Sequence, residues 1–310
     1  MTANTFRFKA DDGKELQGYH WLPSGSTTWK GVVQIIHGLA EHAARYGRLA
    51  GKLNDEGYAV YAYDQRGHGK SIADPSEQGF YADENGWQKL IGDALTLNQH
   101  IAKAHPGHPI LLFGHSMGSM VAQEYLIQHS KTVQAAALSA SVNDPGPIRL
   151  IGLLAARIER WRLGPRGKSK ILHAMSFGDY NKPFKPSRTE YDWLSRDEAE
   201  VDKYINDPLC GFVASTGLWV DFLIGIGEFI KPKRRKQVRS DLPLFLFTGD
   251  KDPVTQMGKA VVSLEKAYKK CGIQDITTKY YPGARHECFN ETNRDEVTQD
   301  FIDWLNRVVG

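Results

Sequence analysis

The sequence predicts an α/β fold: a mostly parallel, twisted sheet with helices on both faces and a helical segment inserted late in the chain. Three observations carry this. Short runs that are apolar throughout alternate with longer helix-like stretches, the pattern of a sheet buried on both faces. Gly114-His115-Ser116-Met117-Gly118 joins one such run, Ile110–Phe113, to a helix-like stretch. The alternation stops near Asn143 and resumes at Pro243. A length of 310 residues suits one large domain, or a core with an inserted subdomain.

The elements follow in order. Residues 5–22 read as a hairpin, with Asp11-Asp12-Gly13 between two alternating runs. Gly31–His37 is a strand, residues 43–55 a helix, Tyr58–Asp64 a strand and residues 87–104 a helix. Ile110–Phe113 is a strand, residues 117–129 a helix and Val133–Ser139 a strand. From Asn143 to Ser240 the pattern is helical, with basic clusters and no clear strand. Pro243–Thr248 is the next strand, then a helix over 257–271, a strand over 276–281 and a closing helix over 293–308. Asn293 with Glu296 three residues on suits the start of that helix. The expected division is a core of residues 1–142 and 240–310 and a helical cap of residues 143–239.

Composition narrows the function classes. A net charge of +3 gives no case for a nucleic-acid partner. Three scattered cysteines, Cys210, Cys271 and Cys288, make neither a disulfide framework nor a zinc site. The first nine residues lack a leader's apolar stretch, so a cytoplasmic location is expected. The most apolar window, Gly211–Ile230, carries Asp221 near its middle. A central aspartate costs roughly 2.5–3.5 kcal/mol on membrane insertion, so the window reads as buried cap.

The chemistry lies in G-x-S-x-G between strand and helix, a nucleophile elbow that holds Ser116 at a helix N-terminus. A serine hydroxyl needs a base to take its proton and a carboxylate to orient that base. In such folds the chain order is Ser, acid, His. His286 follows the last strand, in Tyr280-Tyr-Pro-Gly-Ala-Arg-His286, and Asp250 and Asp252 follow the strand before it. Asp252 is preferred, because Pro253 stiffens its turn. The oxyanion hole needs the amide after the nucleophile, Met117, and one from the loop after Ile35-Ile36-His37-Gly38, which is Leu39.

Together His37–Tyr46, Tyr63–Ser71, Gly114–Gly118, Gly249–Pro253 and Gly283–His286 resemble the monoacylglycerol lipase and lysophospholipase group of the α/β-hydrolases. In the insert, Asp179–Phe184 and Asp192–Asp202 resemble a bacterial lysophospholipase cap. The resemblance implies the α/β-hydrolase fold, Ser116, Asp252 and His286 as triad, and Leu39 and Met117 as oxyanion donors. It also implies that Glu41 and Arg45 lie near the polar end of the pocket. Ser119 departs from the pattern, where related lipases often carry a third glycine.

The expected activity is therefore hydrolysis of a monoacyl lipid ester, a lysophospholipid or monoacylglycerol, through an acyl-enzyme. No metal or organic cofactor and no protein partner is expected. Leu218, Trp219, Phe222, Leu223 and Ile226 line either an acyl pocket or the cap's own core. Residues 147–162 form an amphipathic helix, with Ile148, Ile151, Leu154, Ile158 and Trp161 on one side and Arg149, Arg157 and Arg160 on the other. That helix and the basic run Lys231–Arg239 suggest transient contact with an anionic membrane surface. His37, Glu41 and His42 match no zinc-binding spacing. The alternatives are a peptidase or amidase of the same fold, a non-catalytic binder that keeps the elbow, or acyl transfer to an alcohol other than water.

Overall fold

The computed structural model describes residues 3–24 and 29–310; Met1 and Thr2, the start of the segment read for a leader, lie outside it. The hairpin forms from β1 (Asn4–Lys9) and β2 (Glu15–Trp21), antiparallel, with Phe6 opposite Gly18. Its turn closes through Gly13 at φ 82°, a conformation that suits glycine. Then come β3 (Gly31–Ile36), β4 (Tyr58–Tyr63), β5 (Ile110–His115), β6 (Ala135–Ser139), β7 (Leu244–Gly249) and β8 (Ile276–Tyr281). Among the described residues they make one sheet in the order β1-β2-β4-β3-β5-β6-β7-β8, parallel from β4 to β8. Every residue of β3 through β7 is buried, as apolar runs without alternation require. This is the α/β-hydrolase fold.

Helices cover both faces. On one face α1 (Gly47–Asp55) and α10 (Arg294–Val309) bury Leu49, Leu53, Phe301 and Leu305 against Val33, Phe113 and Phe245. On the other, α2 (Gly86–Ala104), α3 (Met117–His129) and α9 (Lys259–Lys270) bury Leu97, Val121 and Leu264 against Val32, Leu112 and Leu246. The expected helix over 43–55 is split, because Ala43–Tyr46 is a 3-10 turn before α1 begins. At α10 the expected capping box does not form. Asn293 makes no side-chain cap; its amide donates to Glu296 (2.8 Å) and its carbonyl accepts from Arg196 (3.1 Å).

Between β6 and β7 the chain leaves the sheet as α4 (Ile148–Leu163), α5 (Lys170–Phe177), α6 (Glu198–Asn206), α7 (Thr216–Phe229) and the short α8 (Pro232–Arg235). The apolar window forms α7, whose buried Leu218, Val220, Ile226 and Phe229 join the α2–α3 core. Among the described residues no helix is long and apolar enough to cross a membrane.

Two cap surfaces differ from a simple reading of their sequence. The apolar side of α4 faces solvent: Ile148, Ile151, Leu154 and Ile158 are 53–67% exposed and Trp161 87%. The arginines of the basic run, in contrast, are tied down, while Lys231, Lys233 and Lys236 are exposed. Arg234 pairs with Glu124 and Glu228, Arg235 is buried over the Tyr268 ring, and Arg239 donates to the Ser130, Val133 and Gln134 carbonyls. Three cations of that run thus serve the cap–core joint, through carboxylates, an aromatic ring and the carbonyls of the segment between α3 and β6.

Candidate active site

The elbow is built by close packing. Ser116, between β5 and α3, sits at φ 51°, ψ −120°, a conformation that costs a non-glycine residue about 1–3 kcal/mol. Its glycine neighbours make room. A Cβ on Gly118 would lie 2.1 Å from the Ile36 carbonyl, and one on Gly114 would lie 2.6 Å from that of Gly118. Helix and strand therefore approach closely enough to lift the serine clear. Ser119, the departure from three glycines, ties the elbow from behind: its hydroxyl donates to the Ser116 carbonyl at 2.6 Å and lies 2.8 Å from Ser141 Oγ.

The fold brings three distant residues together. His286 Nε2 lies 2.9 Å from Ser116 Oγ, and His286 Nδ1 lies 3.0 Å from Asp252 Oδ1. This network assigns the imidazole proton to Nδ1, leaving Nε2 to accept from the serine. Asp252 is fully buried, and it also accepts from the Val254 amide (2.9 Å) and the Thr248 hydroxyl (3.0 Å). Burial pushes its pKa up, but the His286 charge and these hydrogen bonds together hold it below the usual aspartate value. Burial likewise pushes His286 down; the Asp252 charge and hydrogen bond, with Glu287 and Glu41, outweigh it and raise the imidazole above an ordinary histidine. Asp250 is engaged elsewhere, accepting the Gly283 amide at 2.7 Å in the turn after β8.

Leu39 and Met117 border the same cavity as Ser116 and His286. Among the described residues neither amide donates to a protein acceptor, so both are available to an oxyanion. The Leu39 loop is clamped by the cap. The Ala40 carbonyl, in a residue at φ 56°, accepts from the Tyr204 hydroxyl and the Gly211 amide, each at 2.9 Å.

The cavity has a volume of about 920 Å³ and runs from Ser116 between core and cap. Trp219 and Phe222 line it, with Met120, Leu172, Phe177 and Leu223. Both readings of the α7 residues are thus realised: Trp219 and Phe222 face the cavity, while Leu218 and Ile226 pack in the core. Glu41 lines the polar end; Arg45 does not reach the wall. Arg45 stands behind, donating to Glu41 Oε2 (2.8 Å) and to both oxygens of Glu287 (2.7 Å each). Its guanidinium is also stacked 5.0 Å over the Tyr204 ring.

Sequence reasoning missed several wall residues. Glu287 adjoins His286 in sequence, but a carboxylate there has no spacing rule to mark it. Trp193 lies within the quoted cap motif; its ring centroid is 5.1 Å from that of His286, and its carbonyl accepts the His286 amide. Only folding shows that a cap residue forms the roof over the imidazole.

His37, Glu41 and His42 direct their polar atoms to different partners. His37 Nε2 accepts from the Gln65 amide, Glu41 accepts from Gly38, and His42 Nε2 pairs with Asp207 at 2.8 Å. Among the described residues, His42, Asp207 and Cys210 are the three ligand-type side chains that lie close together, at the seam of core and cap.

Residues 27–293 match the serine aminopeptidase, S33 family. The chain belongs to that family. Among its relatives, mouse monoglyceride lipase is 31% identical over 299 residues, 95% of this chain and 86% of that protein. A monoacylglycerol lipase of Mycolicibacterium smegmatis is 29% identical over 92% of this chain and 90% of its own. A thermostable carboxyl esterase from Bacillus coagulans, solved with glycerol, superposes with TM-score 0.91 at 27% identity, over the full length of both chains. This S33-family member therefore shares the α/β-hydrolase scaffold with ester hydrolases along nearly all its length, cap included.

Proposed function

We propose that the protein is a serine carboxylic-ester hydrolase acting on monoacyl lipids, with Ser116 as nucleophile, His286 as general base and Asp252 as its orienting acid. The observation that carries this reading is the continuous contact Ser116–His286–Asp252, at 2.9 and 3.0 Å, opening on an apolar cavity. Ser116 Oγ attacks the ester carbonyl while His286 Nε2 takes its proton. The oxyanion forms against the Leu39 and Met117 amides. Losing one such donor typically costs about 2.7–4 kcal/mol, so the hole carries a large share of the acceleration. Imidazolium then protonates the leaving alcohol, the acyl-enzyme remains, and water attacks it with His286 again as base. Asp252 stays ionised throughout and favours the imidazolium.

The lipid assignment is supported by the apolar side of the cavity and by relatives named as monoglyceride and monoacylglycerol lipases. The family's aminopeptidase description keeps an amidase reading in play. A chain-length series of p-nitrophenyl esters, set against aminoacyl anilides, separates the two. Turnover that rises with acyl length and vanishes in Ser116→Ala is expected; faster anilide cleavage would overturn the lipid reading.

Contact with an anionic membrane belongs to the same proposal and rests on α4. Its exposed stripe Ile151, Leu154, Ile158 and Trp161, beside Arg157 and Arg160, forms the interfacial helix pattern of apolar face and basic flank. A cytoplasmic location, peripheral to the membrane, fits the three free cysteines. Vesicle co-sedimentation should fall when Leu154 and Trp161 become serine; unchanged binding would remove α4 from the account.

A further inference from the structure

The chain carries net charge +3, yet the cavity wall does not share it. Four carboxylates, Glu41, Asp179, Glu190 and Glu287, border the cavity, against the single guanidinium of Arg149. Arg149 is partly spent on the Leu223 carbonyl, at 3.1 Å, beside the apolar residues of the cap. At the other end, next to the nucleophile, there is no free cation among the described residues. Arg45 could be mistaken for a phosphate receptor, but Glu41 and Glu287 take up its donors, and it stands behind them.

The two acids lie close to the chemistry. A Cβ on Gly38 would be 2.8 Å from Glu41 Oε1 and 3.4 Å from Ser116 Cβ, so one glycine's width separates that carboxylate from the nucleophile. Glu287 directly follows His286 and faces the same cavity. Both acids are ionised: burial pushes them up, but Arg45 holds each below the usual glutamate range. His115, whose ring centroid is 4.9 Å from that of His286, offers no compensating charge, because burial keeps it neutral, with a pKa of about 4. Two carboxylates against one guanidinium leave a net negative charge where the leaving alcohol must sit.

We infer that Glu41 and Glu287 form a charge filter on the alcohol side of the scissile ester, admitting neutral or cationic alcohols and rejecting those that carry an anion. The inference rests on the esterase reading and sharpens it. Of the two monoacyl lipid classes, uncharged glycerol esters fit the site, and lysolipids whose head group ends in a phosphate monoester do not. Specificity here comes from repulsion, the net negative charge that two carboxylates keep when they share one guanidinium in a low-dielectric wall. The same repulsion acts on the released fatty-acid carboxylate if it turns toward the polar end.

The test uses aryl esters, so that it does not depend on the lipid assignment. Wild type is assayed on 3-carboxy-4-nitrophenyl butyrate and on its methyl ester, which differs by one charge. The methyl ester should be preferred in kcat/KM by well over an order of magnitude, and Glu287→Gln should narrow that ratio roughly tenfold. Equal rates on the two esters in wild type overturn the filter, whether or not the variant folds. So does a wild-type preference that Glu287→Gln leaves unchanged. A filter that holds while no glycerol ester is turned over would instead sink the lipid assignment alone.

Discussion

Helices α3 and α4 have similar lengths and opposite surroundings. In α3, eleven residues from Met117 to Ile127 are buried, wedged between sheet, α2 and α7. In α4 only Leu153, Ala156 and Glu159 are buried, and the broad apolar stripe points to solvent. One helix holds Ser116, the proposed nucleophile, in a strained geometry; the other presents grease and arginine outward. Rigid packing over-determines the position of Ser116, whereas the cap's outer helix is free of any such duty. An exposed apolar patch on a chain otherwise well packed is the basis for the proposed membrane contact. Chemistry and location should therefore respond to different substitutions.

The largest expected effect is on the core side. Ser116→Ala should lose turnover by on the order of a millionfold, as when a triad serine is removed elsewhere, with the fold intact by circular dichroism. Asp252→Asn should cost about ten-thousandfold in kcat through the wrong imidazole tautomer. Asp250→Asn, which leaves the relay untouched, should cost far less. If the two aspartate variants were equally damaged, the assignment of the acid would fail.

Next comes pH. His286 must be neutral at Nε2 to act as base, and its pKa is raised above 6.5 by Asp252, Glu287 and Glu41 against burial. A higher pKa keeps the ring protonated to higher pH, so kcat/KM should climb through a midpoint above 6.5. Glu287→Gln removes one contribution and should move that midpoint down; an upward shift would contradict the electrostatics. The smallest effect belongs to α4. Leu154→Ser with Trp161→Ser should change stability by about 0.5 kcal/mol or less, since both side chains are exposed. The same variant should leave short soluble esters untouched and slow only substrate presented in vesicles. A loss on soluble esters too would mean that α4 belongs with the catalytic core.

Much of the site was legible because its constraints are local. An elbow needs glycines at fixed offsets around a serine, and apolar runs mark the strands that flank it. Strand ends then locate His286 and the pair Asp250 and Asp252. The choice between those aspartates depends on which one turns toward His286, and the 3.0 Å contact to Asp252 exists only in three dimensions. The direction of the α4 stripe was not legible either. A period of 3.6 gives an apolar face but says nothing of what it meets. The partners of charge runs were not legible for the same reason: Arg234, Arg235 and Arg239 find theirs more than a hundred residues away or in a distant aromatic ring. Glu287 and Arg45 form a network across 242 residues of sequence, beyond any spacing rule.

The central claim is that Ser116 is the activated nucleophile, and covalent labelling tests it most directly. After reaction with a fluorophosphonate, intact-protein mass spectrometry should show one adduct per chain, mapped by digestion to the peptide bearing Ser116. Labelling should disappear in Ser116→Ala and slow sharply in Asp252→Asn. An adduct on another residue, or ester turnover that survives in Ser116→Ala, would contradict the account.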